Sequence, residues 1–313
     1  MKKSIAFILA AAFLFGTMEV ALKLAGSAFD PLQLTFLRFM IGGICLLPFA
    51  IHDIRRRGCR LDAGDWVYLF LLGFVNVCIS MVLFQVGLKW MDANLSAVVI
   101  STNPMFTMVF ARVFLGEAFT ARKAGVLALS IIGLVIVANP PALMSGASDM
   151  RGIALTLGAA VMFGLYSALG KKRVAKIGGF AQNSLSFILG SAALFPVLLL
   201  TNRPVVAGIE LSSLPVLLYL GVCVTALGYC CYLKAIELSG PSTASMAFFI
   251  KPVIAPIIAF AVLGEPVTAN LAVGIGFVLA GSLLGFAKGT PKADDAACTA
   301  ASGRFECLDD GAA

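Results

Sequence analysis

Apolar residues run through this chain in blocks of about twenty, long enough to cross the ~30 Å hydrocarbon core of a bilayer as helices. Polar residues collect in the short breaks between them. The pattern predicts ten spans, at 4–24, 31–51, 66–88, 94–115, 122–139, 152–170, 181–201, 213–234, 242–263 and 270–287. Helices are the expected element because lipid offers no partner to an exposed backbone amide. The chain therefore reads as an all-α integral membrane protein. Its first block follows Lys2 and Lys3, as a signal peptide would. It runs on past Glu19 to Lys23 with no clear small-x-small cleavage site, so it reads as a retained helix.

Composition agrees with this reading. Of 313 residues, 60% are hydrophobic and 12% charged, against about 25% charged in a soluble domain. The formal net charge of +7 does not mark a nucleic-acid binder, because the bases cluster between spans. The clusters are Lys2 and Lys3; Arg55, Arg56, Arg57 and Arg60; Arg122 and Lys123; Lys171, Lys172, Arg173 and Lys176; Lys288 and Lys292. Counted from a cytoplasmic N-terminus, these clusters all fall on one side, while only Lys23, Lys89, Arg151 and Arg203 lie in or near the opposite loops. This places both termini in the cytoplasm and the protein in the plasma (inner) membrane. None of the eight cysteines forms a zinc-type pair of CxxC units, and Cys298 and Cys307 read as free thiols. His52, beside Asp53 at a helix end, reads as a solvated loop residue. No metal or cofactor is implied.

The chain also repeats itself. "FLGEAFTARKAG" (114–125) and "VLGEPVTANLAV" (262–273) share L-G-E-x-x-T-A, and 265 minus 117 gives an offset of 148. Without a gap, the same offset carries Phe15-Gly16 onto Phe163-Gly164, Lys23 onto Lys171, Phe39 onto Phe187 and Gly42 onto Gly190. It also carries Gly73 onto Gly221 and Pro104 onto Pro252. Each half then holds five spans. Five is odd, so the second half enters the membrane from the other side, and the two halves form inverted repeats. The expected domains are a first repeat at 4–138, a linker at 139–150, a second repeat at 152–287 and a disordered cytoplasmic tail at 288–313.

With these motifs in view, the chain resembles the EamA-type transporters of the drug/metabolite transporter superfamily. "LFGTMEVALKLAG" followed by "LTFLRF" is similar to that family's opening helix pair. The resemblance implies a small-molecule carrier, often an exporter of amino acids or related metabolites.

Lys251 lies near mid-depth of its span, where a lysine costs about 2.5–3.5 kcal/mol on insertion scales unless it faces protein or water. Pro252 follows it, Pro256 weakens the next turn, and Asn103-Pro104 holds the matching place in the first half. Paired interruptions of this kind point to a transport site. Lys251 and Asn103 are therefore expected on a central cavity, with Lys251 attracting a carboxylate or phosphate; pairing with Glu19 is compatible with that role. Glu19 is the only acid deep in a span, and Lys23, Arg38 and Lys251 are its candidate partners. Arg38 leads, because the second half replaces both members together, by Ser167 and Ser186. The alternative makes Glu19 a proton carrier, with a proton as coupling ion. Asn76, Thr102, Tyr166, Ser167, Tyr229 and Phe248 are further candidates for the cavity lining. Glu117 and Glu265 are assigned to stability, with Thr120 and Thr268 as N-caps of helices starting at Ala121 and Ala269. Gly281 and Gly285 form a GxxxG suited to close helix packing, a homodimer included.

The function these residues point to is secondary transport of a small polar metabolite, amino acid or carboxylate-like, by alternating access; the family resemblance implies export as the direction. The alternatives are an exporter of amphipathic or cationic drugs, or a membrane receptor or enzyme without flux. Neither HExxH, GxSxG nor a P-loop occurs, which argues against an enzyme and against ATP-driven transport.

Overall fold

The computed structural model of the chain describes residues 2–26, 28–58, 60–118, 120–138, 150–206 and 209–286. The expected linker, apart from Met150, and the expected tail lie outside them, as do Cys59, Cys298 and Cys307. The described residues are all-helical, without a strand. Eight segments are long and apolar enough to span a bilayer: Lys3–Ala25, Pro31–Arg57, Ala63–Trp90, Ala93–Leu115, Met150–Ile177, Gly179–Leu200, Leu214–Ser239 and Pro241–Leu263. The other two expected spans are helices as well, with shorter apolar stretches at Ala124–Gly133 and Ala269–Gly281. The polarity of the molecule is inverted relative to a soluble protein. Leu200, Val113, Ile257 and Phe260 are exposed, while Glu19, Arg38, Asn76, Asn103 and Lys251 are fully buried. Lipid is the solvent that fits this surface.

The first span is α1 (Lys2–Gly16) and α2 (Met18–Ala25), and the second is α3 (Pro31–Arg57). Asp30 starts α3 with a capping box: its side chain accepts from the Leu32 amide at 3.0 Å, and Gln33 accepts from the Asp30 amide at 3.3 Å. The third span begins as α4 (Ala63–Gly73), widens into a π-helical stretch at Phe74–Met81, and ends as α5 (Val82–Gly87). The fourth is split into α6 (Ala93–Ile100) and α7 (Asn103–Leu115), and α8 (Ala121–Ala138) follows. The second half repeats this order. It comprises α9 (Met150–Ile177), α10 (Gly179–Leu200), α11 (Leu214–Leu218), a π-helical stretch at Tyr219–Gly228 and α12 (Tyr229–Ser239). The short α13 (Pro241–Ala244), then α14 (Ala247–Leu263) and α15 (Ala269–Phe286), complete it.

Close crossings at glycine hold the centre together. A Cβ on Gly73 would lie 2.0 Å from the Ser186 carbonyl oxygen, and one on Gly190 would lie 2.6 Å from the Gly73 oxygen. The mirror crossing sets Gly42 against Gly221: a Cβ on Gly42 would meet the Gly221 oxygen at 3.0 Å. Only a residue without a side chain allows backbones this near. α3 packs along α10, α9 along α7, and α1 along α14. α15 packs on α8 of the same chain, so the helix bearing Gly281 has a partner within the molecule.

One expectation needs correction. In the first half the interruption falls at Ser101–Thr102, directly before Asn103 and Pro104. In the second it falls at Ser245–Met246, and α14 runs unbroken through Pro252 and Pro256. A proline removes one amide and crowds one carbonyl. Here the flanking turns absorb that loss, and the break moves upstream to the turn where Phe248 and Phe249 donate to Ser245 and Met246, both at 3.0 Å.

Candidate functional site

α2 presents Glu19 in its first turn, and α14 presents Lys251 in its second. Both side chains are fully buried, and the ammonium and carboxylate form an ion pair. Lys251 Nζ also stands 5.6 Å over the Phe84 ring and 5.7 Å over the Phe248 ring, within cation–π range. Arg38, fully buried on α3, faces the same carboxylate electrostatically. Its Nη1 donates to the Met18 sulfur at 3.5 Å, and its Nε and Nη2 find no acceptor among the described residues. The expected Glu19–Arg38 pair is thus replaced by Glu19–Lys251. The reason is packing: α1 and α2 lie against α14, whereas α3 lies along α10 and the second π-helical stretch.

The other candidates divide into two groups. Asn103 is buried at the start of α7 with both amide atoms unpartnered. Tyr229 and Phe248 line a hollow, and Asn76 faces the Tyr229 hydroxyl. The remaining polar groups bond locally. Thr102 donates to the Val99 carbonyl at 2.7 Å, and Tyr166 donates to Asn183 Oδ1 at 3.2 Å. Ser167 donates to the Phe163 carbonyl at 2.8 Å and accepts from Tyr232 at 2.9 Å.

The hollow is small, about 10 Å³, enough for roughly one water. Phe15, Met18, Met81, Ile100, Phe163, Tyr229 and Phe248 line it. Three pairs among these, Phe15 with Phe163, Met81 with Tyr229, and Ile100 with Phe248, are each 148 positions apart in the chain. Its aromatic wall is tightly joined, with Phe15 5.2 Å from Tyr229 and Phe163 5.1 Å from Phe248 between ring centroids. Lys251 does not line the hollow and has no exposed surface. Among the described residues no cavity reaches it, in contrast to the open central cavity expected around it.

A larger cavity, about 300 Å³, lies where α2 turns into α3. Lys23, Gly26, Phe29, Gln85, Leu88 and Lys89 line it, with Gly26 and Lys89 exposed. Gln85 is buried with its Oε1 unpartnered. Sequence reasoning passed over this cavity, because Lys23 and Lys89 look like ordinary residues at span ends. It also missed Met18, Phe84 and the π-helical stretches; the repeated Gly73 and Gly221 were the available signal for the latter.

Glu265 and Glu117 each bond to a group in the other half of the chain. Glu265 accepts from the Ala93 and Asn94 amides, both at 3.0 Å, at the start of α6. Glu117 accepts from the Ser242 hydroxyl at the start of α13. α8 and α15 begin at Ala121 and Ala269, and Thr268 accepts from the Leu271 amide at 3.3 Å.

Comparison with known proteins places this geometry in context. The EamA-like transporter family matches residues 2–139 and again 150–286. A Clostridium kluyveri protein described as an uncharacterized transporter is 39% identical over 300 residues, spanning 94% of this chain and 96% of its own length. An uncharacterized transporter from Archaeoglobus fulgidus is 28% identical, spanning 90% of this chain and 97% of its own length. A crystal structure with 17% identity superposes with a TM-score of 0.68 over 91% of this chain and 97% of that one, a likeness of fold.

Proposed function

The chain belongs to the EamA-like transporter family, and from that premise we propose that it is a secondary transporter of a small carboxylate-bearing metabolite, an amino acid included. It works by alternating access between two inverted five-helix repeats, ten spans in all.

One observation carries the substrate class. The buried centre holds two fixed cations, Lys251 and Arg38, and one carboxylate, Glu19. Among the described residues one positive charge is left without a counter-charge, and Arg38 keeps two buried nitrogens, Nε and Nη2, without an acceptor. An unbalanced buried charge is strongly unfavourable. A ligand carboxylate supplies both the missing charge and the missing acceptors. A cationic drug adds to the excess, although the aromatic wall alone would suit one. Glu19 then stands in for the substrate on Lys251, and protonation of Glu19 offers a way to free the ammonium, with the proton as coupling ion.

Several features support the inverted repeat. The two π-helical stretches, the two glycine crossings and the two glutamate contacts recur at or near one sequence offset. Glu265 caps α6 of the first half through two backbone amides, and Glu117 accepts from the Ser242 hydroxyl of the second. The hollow lined by three offset pairs lies where a pseudo-two-fold axis would run. Because the hollow is nearly filled, substrate enters only when the halves rearrange. The basic clusters support cytoplasmic termini in a plasma membrane, and the family resemblance supports export. Asn103 is assigned to the substrate path, while Tyr166, Ser167 and Thr102 shape its wall.

Exchange of labelled solutes across proteoliposomes tests this reading, with and without an imposed pH gradient. Counterflow of one or more amino acids or short carboxylates is expected. Flux confined to organic cations would overturn the substrate class, and flux of nothing would overturn transport.

A further inference from the structure

We propose that Lys23 and Lys171 are reciprocal gate residues, each able to close one end of the transport path, and that this structure holds the Lys171 gate shut and the Lys23 gate open. The proposal rests on the inverted-repeat reading above.

Lys171 Nζ donates to the Ile236 and Glu237 carbonyls, at 3.1 and 2.8 Å, where α12 ends. The last carbonyls of a helix lack internal partners, and a cation there is doubly favourable. Subtracting 148 from 171, 236 and 237 gives 23, 88 and 89. Lys23, Leu88 and Lys89 do not meet in this way. They line the 300 Å³ cavity, and among the described residues the Lys23 ammonium makes no hydrogen bond or ion pair. The surroundings differ in part. Val174, Ile177 and Leu233, near Lys171, are buried; their mates Gly26, Phe29 and Gln85 line the cavity, with Gly26 exposed and Phe29 and Gln85 buried.

The two places lie at opposite ends of the fold. Gly87, at the cavity end, packs against Gly152 on α9. Lys171 follows 19 residues later (171 minus 152) on the same helix, about 28 Å along its axis. Two equivalent sites, one bonded and one parted, are what a single alternating-access conformation presents. In the opposite conformation Lys23 reaches the Leu88 and Lys89 carbonyls, and Lys171 lets go of Ile236 and Glu237.

Amide hydrogen exchange of the full chain in lipid nanodiscs tests the gates without any substrate. Lys171→Gln is expected to speed exchange about threefold in residues 233–240 and to slow it about threefold in residues 85–92 at the far end. Lys23→Gln, which removes no hydrogen bond present here, is expected to do the reverse in both segments. Lys171→Arg, which keeps both donors, is expected to behave as wild type. A change confined to the segment beside the substitution, or of the same sign at both ends, overturns the proposal, and Lys23→Gln decides alone if Lys171→Gln does not fold. Reciprocal exchange with no solute flux would keep the gates and remove the transport reading. Flux with one-sided exchange would do the opposite.

Discussion

Glu19 and Lys251 are 232 positions apart (251 minus 19), stand in different halves of the chain, and form an ion pair with no exposed surface on either side chain. Removing one partner of a buried pair strands the other charge, whereas replacing both by apolar groups is often tolerated. Glu19→Leu alone leaves two buried cations without a carboxylate and is expected to cost about 3–5 kcal/mol, read as a large fall in melting temperature in detergent. Lys251→Met alone leaves Glu19 facing Arg38 and is expected to cost less. The double substitution is expected to recover most of the Glu19→Leu loss while remaining inactive in transport. A double variant no more stable than Glu19→Leu would refute the pairing.

The glutamate caps give a second prediction. Glu265→Gln keeps only one acceptor for the Ala93 and Asn94 amides, and loss of such a cap costs about 1–2 kcal/mol. Glu117→Ala is expected to cost a similar amount through Ser242. Neither residue touches the central ion pair, so both variants should show a lowered melting temperature with an unchanged KM for flux. A raised KM with normal stability would move these glutamates into the substrate path.

The glycine crossings predict an order. A Cβ at Gly73 meets backbone, the Ser186 oxygen at 2.0 Å, which cannot yield. At Gly221 it meets the Ile41 side chain at 2.7 Å, which can turn aside. Overpacking typically costs about 1–3 kcal/mol. Gly73→Ala is expected at or above that range, Gly221→Ala at its lower end, as measured by folded yield and thermal unfolding. Equal effects would mean the two crossings are looser than their geometry indicates.

These predictions separate what the sequence declares from what packing decides. Spans were legible because lipid selects composition over about twenty consecutive residues. The offset between Glu117 and Glu265 was legible because Gly, Pro, Glu and Thr rarely coincide by chance, and Thr268 marked a helix start for the same reason. Lys251 stood out because a charge at mid-depth must be answered. Its partner was not legible. The loss of Glu19 and Arg38 together in the second half suggested that they bond, yet Glu19 pairs with Lys251, and Arg38 acts on the same carboxylate without bonding to it. Which cation touches the carboxylate depends on how α2 and α14 rotate against each other, which no local pattern encodes. The helix break at Ser245–Met246 and the π-helical stretches were hidden likewise, since proline and glycine permit irregularity without fixing its place. The burial of Lys251 was beyond reach because sequence places a residue on a helix without fixing how closely its neighbours pack over it.

The positive excess at the centre is tested by a charge-selective comparison. Arg38→Gln leaves Lys251 and Glu19 balanced, so the protein should still fold, but its affinity for carboxylates should fall at least tenfold. A variant that binds carboxylates as wild type would show that Arg38 serves the fold and not the ligand.

The most direct measurement is counterflow of labelled amino acids and short carboxylates into proteoliposomes, run side by side for the wild type and a folded Lys251→Gln variant. We predict exchange of an anionic or zwitterionic solute by the wild type and none above empty liposomes by the variant. Exchange of that solute by Lys251→Gln at the wild-type rate would contradict the account.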